Sequence, residues 1–270
     1  MLLVPFQLVV NVVRRFRAER YAQTAAALSF ATLLGLVPML VVGAALIELL
    51  PFGIKLSAAL EQFLLATLLP DKAGVVIAKY LGQFAQRAER VTWIGLAVLG
   101  ATAILQMLTI ERAFDAIWKV RKQRPWIKRL GLHLLALLLG PLVFGGALAS
   151  TTFLATASFG LVDEARWVRI AFSEALPLIF LALLFSLLYW ALPNRPVSRW
   201  HAAFSGSLAA LTFVGMQRLF ALYVVKLPTY TLIYGAFAAV PIFLLWLYLS
   251  WTVILVGALS TAELPDVTRK

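Results

Sequence analysis

Residues Tyr234 to Ala262 read YGAFAAVPIFLLWLYLSWTVILVGALSTA, a run without a single charged side chain. The hydrocarbon core of a bilayer is crossed by ~20 predominantly apolar residues in a helix, and this run exceeds that length. Five more stretches approach or exceed it: Ala31–Leu50, Val91–Ile110, Leu132–Ser158, Glu174–Leu192 and Ala202–Val225. Hydrophobic residues make up 62% of the chain and mean hydropathy is +0.91. That composition lies outside the globular range. The expected fold is all-α: a polytopic membrane protein whose six transmembrane helices form a single integral membrane domain over residues 1–270.

Lys and Arg orient it. Arg14, Arg15, Arg17 and Arg20 precede the first stretch, and Arg112, Lys119, Arg121, Lys122, Arg124, Lys128 and Arg129 follow the second. Arg195, Arg199, Arg269 and Lys270 fall on the same side. The other side holds only Lys55, Lys72, Lys79, Arg87, Arg90, Arg166, Arg169 and Lys226. The positive-inside rule then predicts both termini in the cytoplasm of a multi-pass bacterial inner-membrane protein. The net charge of +12 is explained by topology, with anionic lipid at the cytoplasmic face as the expected counter-charge and no nucleic acid required.

Residues 1–20 begin MLLVPFQLVVNVV, too short to span and without the basic start of a signal peptide. They read as an interfacial helix with Arg14, Arg15 and Arg17 at the headgroups. Residues 51–90 are too long for a simple loop. Ser57–Leu69 and Ala73–Arg90 each repeat apolar residues at helical spacing, and Pro70-Asp71 separates them. An amphipathic helical pair on the periplasmic face is expected, either packed on the bundle or serving as a lid.

Pro38, Pro141 and Pro241 fall within spans, where a freed carbonyl and a kink can line a cavity. Pro177 stands near the start of its span, where proline is harmless. Gly206/Ala210 and Gly257/Thr261 are small pairs that let backbones approach. Trp118, Trp126 and Trp200 suit an inner aromatic belt, and Tyr223, Tyr230 and Tyr234 an outer one.

Intramembrane charge points most directly to function. Arg218 lies beyond the middle of the fifth span, while Glu48 and Glu174 lie near the outer ends of the first and fourth. Arg218, Lys79 and Arg87 can attract a phosphate headgroup; snorkelling is the alternative for Arg218. Gln106 and Gln217 are uncharged groups suited to cavity lining or helix–helix hydrogen bonds. Glu111 and Asp115, flanked by Arg112 and Lys119, read as solvated helix-end ion pairs. The two histidines, His133 and His201, have no carboxylate cluster beside them, and there is no phosphate loop and no nucleophile elbow. No catalytic residue, metal site or cofactor is expected.

AAALSFATLLGLVPML, TIERAFDAIWKVRKQRP and LPTYTLIYGAFAAVPIFLLWLYLSWTVILVGA resemble the YihY/BrkB family of bacterial inner-membrane proteins. The resemblance covers Arg20 to Leu264. It implies six helices with both termini inside, and an activity linked to envelope lipid or lipopolysaccharide precursors, serum resistance or cation/proton antiport. An old ribonuclease label of the family finds no chemistry in this chain. Where the family often carries a glutamate and a lysine, Val214 and Gln217 stand here, and the acid of its final LLGAE motif is replaced by Leu259. An antiporter would lack those groups. The sequence therefore favours a non-enzymatic envelope protein handling a lipid or other amphiphile. The alternatives are an antiporter using Glu48 or Glu174, and a scaffold for a periplasm-spanning partner. Association into a homo-oligomer is open.

Overall fold

The computed structural model describes residues 3–48, 93–121, 125, 127, 129, 131, 166–225 and 239–268. Among them lie six helices: α1 (Leu3–Ala18), α2 (Tyr21–Glu48), α3 (Trp93–Ile117), α4 (Arg166–Ala191), α5 (Arg199–Val225) and α6 (Ala239–Thr268). Three carry segments long and apolar enough to cross a membrane, Ala97–Ile117, Arg199–Val224 and Val240–Pro265. At 1.5 Å per residue these reach about 32–39 Å, against a ~30 Å hydrocarbon core. Pro177–Ala191 is a shorter apolar stretch within α4. The expected span Leu132–Ser158, the outer pair at 51–90, Lys79, Arg87 and Pro141 lie outside the described residues.

The chain divides into two units, one of Met1–Leu34, Gln106–Arg124 and Leu181–Lys270, the other of Gly35–Leu105 and Pro125–Phe180. In the first, α6 packs against α5 and α1. Its core is aromatic. Trp118 stacks on Phe114 and Phe114 on Tyr189, which stacks on Phe185; Phe185 meets Phe213 edge-on. Phe213 meets Trp246, Trp246 meets Phe220, and Phe220 meets Tyr223. Successive centroids are 5.1–6.4 Å apart, within the range where aromatic pairs add to simple burial. This file of eight rings ties α3, α4, α5 and α6 together. Trp118 is buried within it, which corrects its expected place in an aromatic belt.

Glycine permits the closest approaches. A Cβ on Gly206 would come within 2.7 Å of Ser186 Cα, and one on Gly257 within 2.8 Å of Tyr189 Cζ. The Tyr189 hydroxyl lies over that bare backbone and donates to Ile254 O at 3.0 Å. A buried phenol thus gains its acceptor from a neighbouring helix one turn above the glycine.

Helix ends account for two further features. α3 stops with Lys119 at φ 52°; Lys119 N–H donates to Ala116 O and Val120 N–H to Asp115 O. This left-handed cap satisfies two carbonyls that the helix would otherwise leave open. Arg20 at φ 56° turns the chain between α1 and α2 in the same way. Pro177 is interior to α4, which begins at Arg166, so it is not the helix-start proline that its sequence position suggests; it removes a donor and crowds the preceding turn. Pro241 stands exposed in the first described turn of α6, and Pro38 within α2.

Candidate functional site

The first unit gathers the start of α2, the ends of α3, α4 and α6 and the start of α5 at one polar end, where Arg15 is the hub. Its Nε donates to Glu19 Oε1 at 2.9 Å and its Nη1 to Glu263 Oε1 at 2.7 Å. Its Nη2 donates to Glu19 Oε2 at 3.2 Å and to Ile117 O at 2.9 Å. All three nitrogens are engaged, so one guanidinium joins α1, the following turn, the C-terminus of α3 and the last turns of α6. Only the planar fork of arginine reaches so many acceptors at once. The interfacial reading that put Arg15 at the headgroups is therefore corrected: Arg15 points inward, and Arg14 and Arg17 are the exposed ones.

Charge in this hub is mutually stabilised. Hydrogen bonding from Arg15 holds the Glu19 carboxyl below its ordinary range, helped by Tyr21 and opposed by burial. Burial opposes the Arg15 charge, but bonds to Glu19 and Glu263 outweigh it and raise its pKa. Burial, then the bond from its hydroxyl to Glu19 at 2.8 Å, raises the Tyr21 phenol. Lys119, largely exposed, approaches Glu19 at 3.9 Å.

Glu111 and Asp115 also belong to this end, but not as solvated ion pairs. Glu111 is 0% exposed and Asp115 is buried. Asp115 Oδ1 accepts the Asn194 N–H at 3.0 Å, which ties the end of α3 to the connection between α4 and α5. Burial decides against the sequence reading, because a buried carboxylate persists only where donors surround it. Beyond these turns, Arg199 lies 5.3 Å over the exposed Trp190 ring, next to Trp200, which is 84% exposed. Arginine on exposed indole is the composition of a membrane interface.

A second polar node lies deeper. Trp251 Nε1–H donates to Thr32 Oγ1 at 3.0 Å. The Gln106 amide, turned so that both its ends are satisfied, accepts from Thr32 Oγ1 at 3.2 Å and donates to Ala31 O at 2.9 Å. Each of the three residues stands eleven or twelve positions from the hub along its helix, about 17–18 Å. Gln106 thus joins helices α2, α3 and α6.

Along α5 and α6 runs a groove of about 600 Å³. Thr212, Gly215, Met216, Leu219, Phe220 and Tyr223 of α5 form one wall. Leu245 and Leu249 of α6 form the other. The Thr212 hydroxyl donates to Leu208 O at 2.8 Å, so the wall presents almost only carbon. Arg218 is exposed on α5 beside Gly215 and Leu219, with Leu211 and Leu222 exposed on the same side. Gln217 is half-buried on the same helix. Glu48 closes α2 and Glu174 stands in α4; their side chains lie outside the described residues. Arg218 is thus placed on the exposed side of α5 and Gln106 in the deep node, Gln217, Pro38 and Pro241 lie within α5, α2 and α6, and Lys79, Arg87, Pro141 and the side chains of Glu48 and Glu174 lie outside what is described.

Sequence reasoning missed the hub and the groove. A lone acid, Glu263, at the end of an uncharged run was the available signal for the hub. It lies one turn beyond Leu259, which is fully buried.

Long apolar helices and a polar end organised by arginine are those of a helical membrane protein. The chain belongs to the BrkB family: the sequence profile described as virulence factor BrkB matches residues 12–270. It is 49% identical over 252 residues to a UPF0761 membrane protein of Aromatoleum aromaticum, covering 93% of this chain and 62% of that one. To a UPF0761 membrane protein of Azoarcus sp. it is 50% identical, with the same shares covered. A UPF0761 membrane protein of Nitrosospira multiformis is 41% identical over 96% of this chain and 61% of its own. The chain thus spans about three-fifths of the length of these relatives. No solved structure matches.

Proposed function

We propose that this protein is a non-enzymatic component of the bacterial inner membrane that holds or moves a lipid or comparable amphiphile. The observation that carries this reading is Arg218, a cation exposed on an apolar helix of spanning length. An arginine on such a helix is the side chain that recognises a phosphate-bearing headgroup, through charge-assisted hydrogen bonds. Antiport is less well supported, since the buried polar node of Thr32, Gln106 and Trp251 is uncharged. Both termini are assigned to the cytoplasm, and Lys79 and Arg87 remain further headgroup candidates.

Native mass spectrometry of the purified protein tests this. A retained phospholipid is expected, weakened at least tenfold by Arg218→Ala and kept by Arg218→Lys. Sodium-dependent proton flux in proteoliposomes, abolished by Glu48→Gln, would overturn the reading in favour of an antiporter.

A further inference from the structure

We infer that the free face of α1 is a docking surface for the anionic inner leaflet, and that Arg15 sets the angle at which the helix lies on it. This is independent of lipid handling at Arg218; it takes the side of the membrane from the assignment of both termini to the cytoplasm.

Three lines of residues run along α1. Leu8, Val12 and Arg15, three or four apart, are turned inward, and Leu8 and Val12 are buried. Gln7, Asn11, Arg14 and Ala18 repeat at intervals of four, three and four along one flank, where Arg14 Nη2 donates to Asn11 Oδ1 at 3.4 Å. Phe6, Val9, Val10 and Val13 occupy the remaining arc, about 100° wide at 3.6 residues per turn. All four are exposed, Phe6 at 67% and Val9 at 60%. Phe16, between this arc and the core, is taken up by the Tyr21 ring at 6.3 Å. The helix therefore has a second apolar face, uncovered among the described residues.

Its position says what meets that face. Arg15 bonds to Ile117 O and to Glu263, and the apolar segments Ala97–Ile117 and Val240–Pro265 end at or just beyond those contacts. Where two segments of spanning length end, hydrocarbon gives way to headgroups. This moors α1 at the level of the membrane boundary. Its 16 residues reach about 24 Å, short of a ~30 Å core, and the polar line from Gln7 to Ala18 rules out immersion of the whole helix. A helix with one polar line and a broad apolar arc lies in the boundary plane, its apolar side reaching ~5–10 Å into the headgroup–acyl region. Charge names the lipid. Arg14, Arg17, Arg20 and Arg121 are exposed around this end, and the Lys119 side chain is 74% exposed. Anionic headgroups complement such a rim. Arg17 stands on the apolar arc itself, in the last turn, where its stem covers carbon and its head reaches a phosphate. Because the Arg15 guanidinium grips in three directions, α1 cannot roll without losing contacts in the hub.

Spin labelling of the full chain in nanodiscs tests this, and a cysteine-free sequence permits it. Nitroxides at Phe6→Cys, Val9→Cys and Val13→Cys are expected to be open to oxygen and shielded from a water-soluble nickel chelate. Gln7→Cys and Ala18→Cys should show the reverse; all these positions are exposed, so labels there leave the core untouched. Shielding at Val9→Cys should increase when phosphatidylcholine is replaced by its equimolar mixture with phosphatidylglycerol. In that mixture, Arg14→Gln combined with Arg17→Gln should lower the immersed-to-free ratio of α1 by about tenfold. Arg15→Gln should blur the alternation between Val9→Cys and Gln7→Cys as the helix rolls. Equal nickel access at every labelled position, the mark of a helix in water, would overturn the docking surface. So would dipolar broadening between copies at Val9→Cys, which would place a second copy of the chain on the face. Immersion that is equal in both lipid mixtures and insensitive to the arginine pair would overturn the anionic leaflet as its partner. Unchanged alternation in Arg15→Gln would overturn Arg15 as the residue that sets the angle.

Discussion

Arg15 shows how much of a membrane protein's organisation can rest on one side chain. Its guanidinium and the Glu263 carboxylate are both mostly withdrawn from solvent, with side chains 17% and 13% exposed. Breaking a buried pair leaves an uncompensated charge and costs about 3–5 kcal/mol. Arg15→Ala should therefore loosen α1, read as faster amide exchange over Leu3–Ala18, while Arg14→Ala leaves it unchanged. Arg15→Lys should recover only part of the protection, because an ammonium cannot serve three directions. The pH dependence has a defined sign. Glu19 is held below its ordinary 4.5, so its contribution is complete above that value and is lost as pH falls through the lower folded-state value. Tyr21 is raised above its ordinary 10.0, so its contribution is complete below 10.0 and fades as pH rises beyond it. Protection of α1 should be flat between those limits and fall on either side. None of this pairing was legible from the chain. Arg15 looked like one of a row of headgroup arginines, because sequence shows the charge of a side chain but not which way its helix turns it.

At the scale of elements, sequence located most helices and mistook how some of them fit. The expected stretches Val91–Ile110 and Ala202–Val225 correspond closely to α3 and α5, since apolar length alone identifies a helix that must satisfy its own backbone in lipid. α4 begins well before Glu174, because its first turns are polar enough to escape a hydropathy reading. Small residues were legible as contacts but not sorted by consequence. Gly206→Val should be severely destabilising, by about 3 kcal/mol or more, because the added carbon would press on the Ser186 backbone. Gly100→Ala should be neutral or stabilising by up to about 1 kcal/mol, since a Cβ there meets nothing within 4 Å. Thermal unfolding of the two variants in the same detergent distinguishes them. A reversal of that order would mean that α4 and α5 do not meet where described.

The whole molecule invites a topological test, and its cysteine-free chain permits it directly. A membrane-impermeant maleimide should label Gln86→Cys in intact cells and leave Lys119→Cys unlabelled until the membrane is opened. The opposite pattern would invert the orientation read from arginine and lysine. Charge bias is legible from sequence because it is a property of counts; the groove between α5 and α6 was not, because it depends on two helices meeting in one particular register.

The hub also has a consequence for biosynthesis. Arg15 leaves the ribosome early, yet its partner Glu263 is separated from it by 248 residues. At ~5–20 residues per second that interval is roughly 12–50 s. Throughout it Arg15 has Glu19 as its acidic partner, and only the arrival of the last helix closes the contact with Glu263. A single ion pair thereby closes only after every intervening segment has been made.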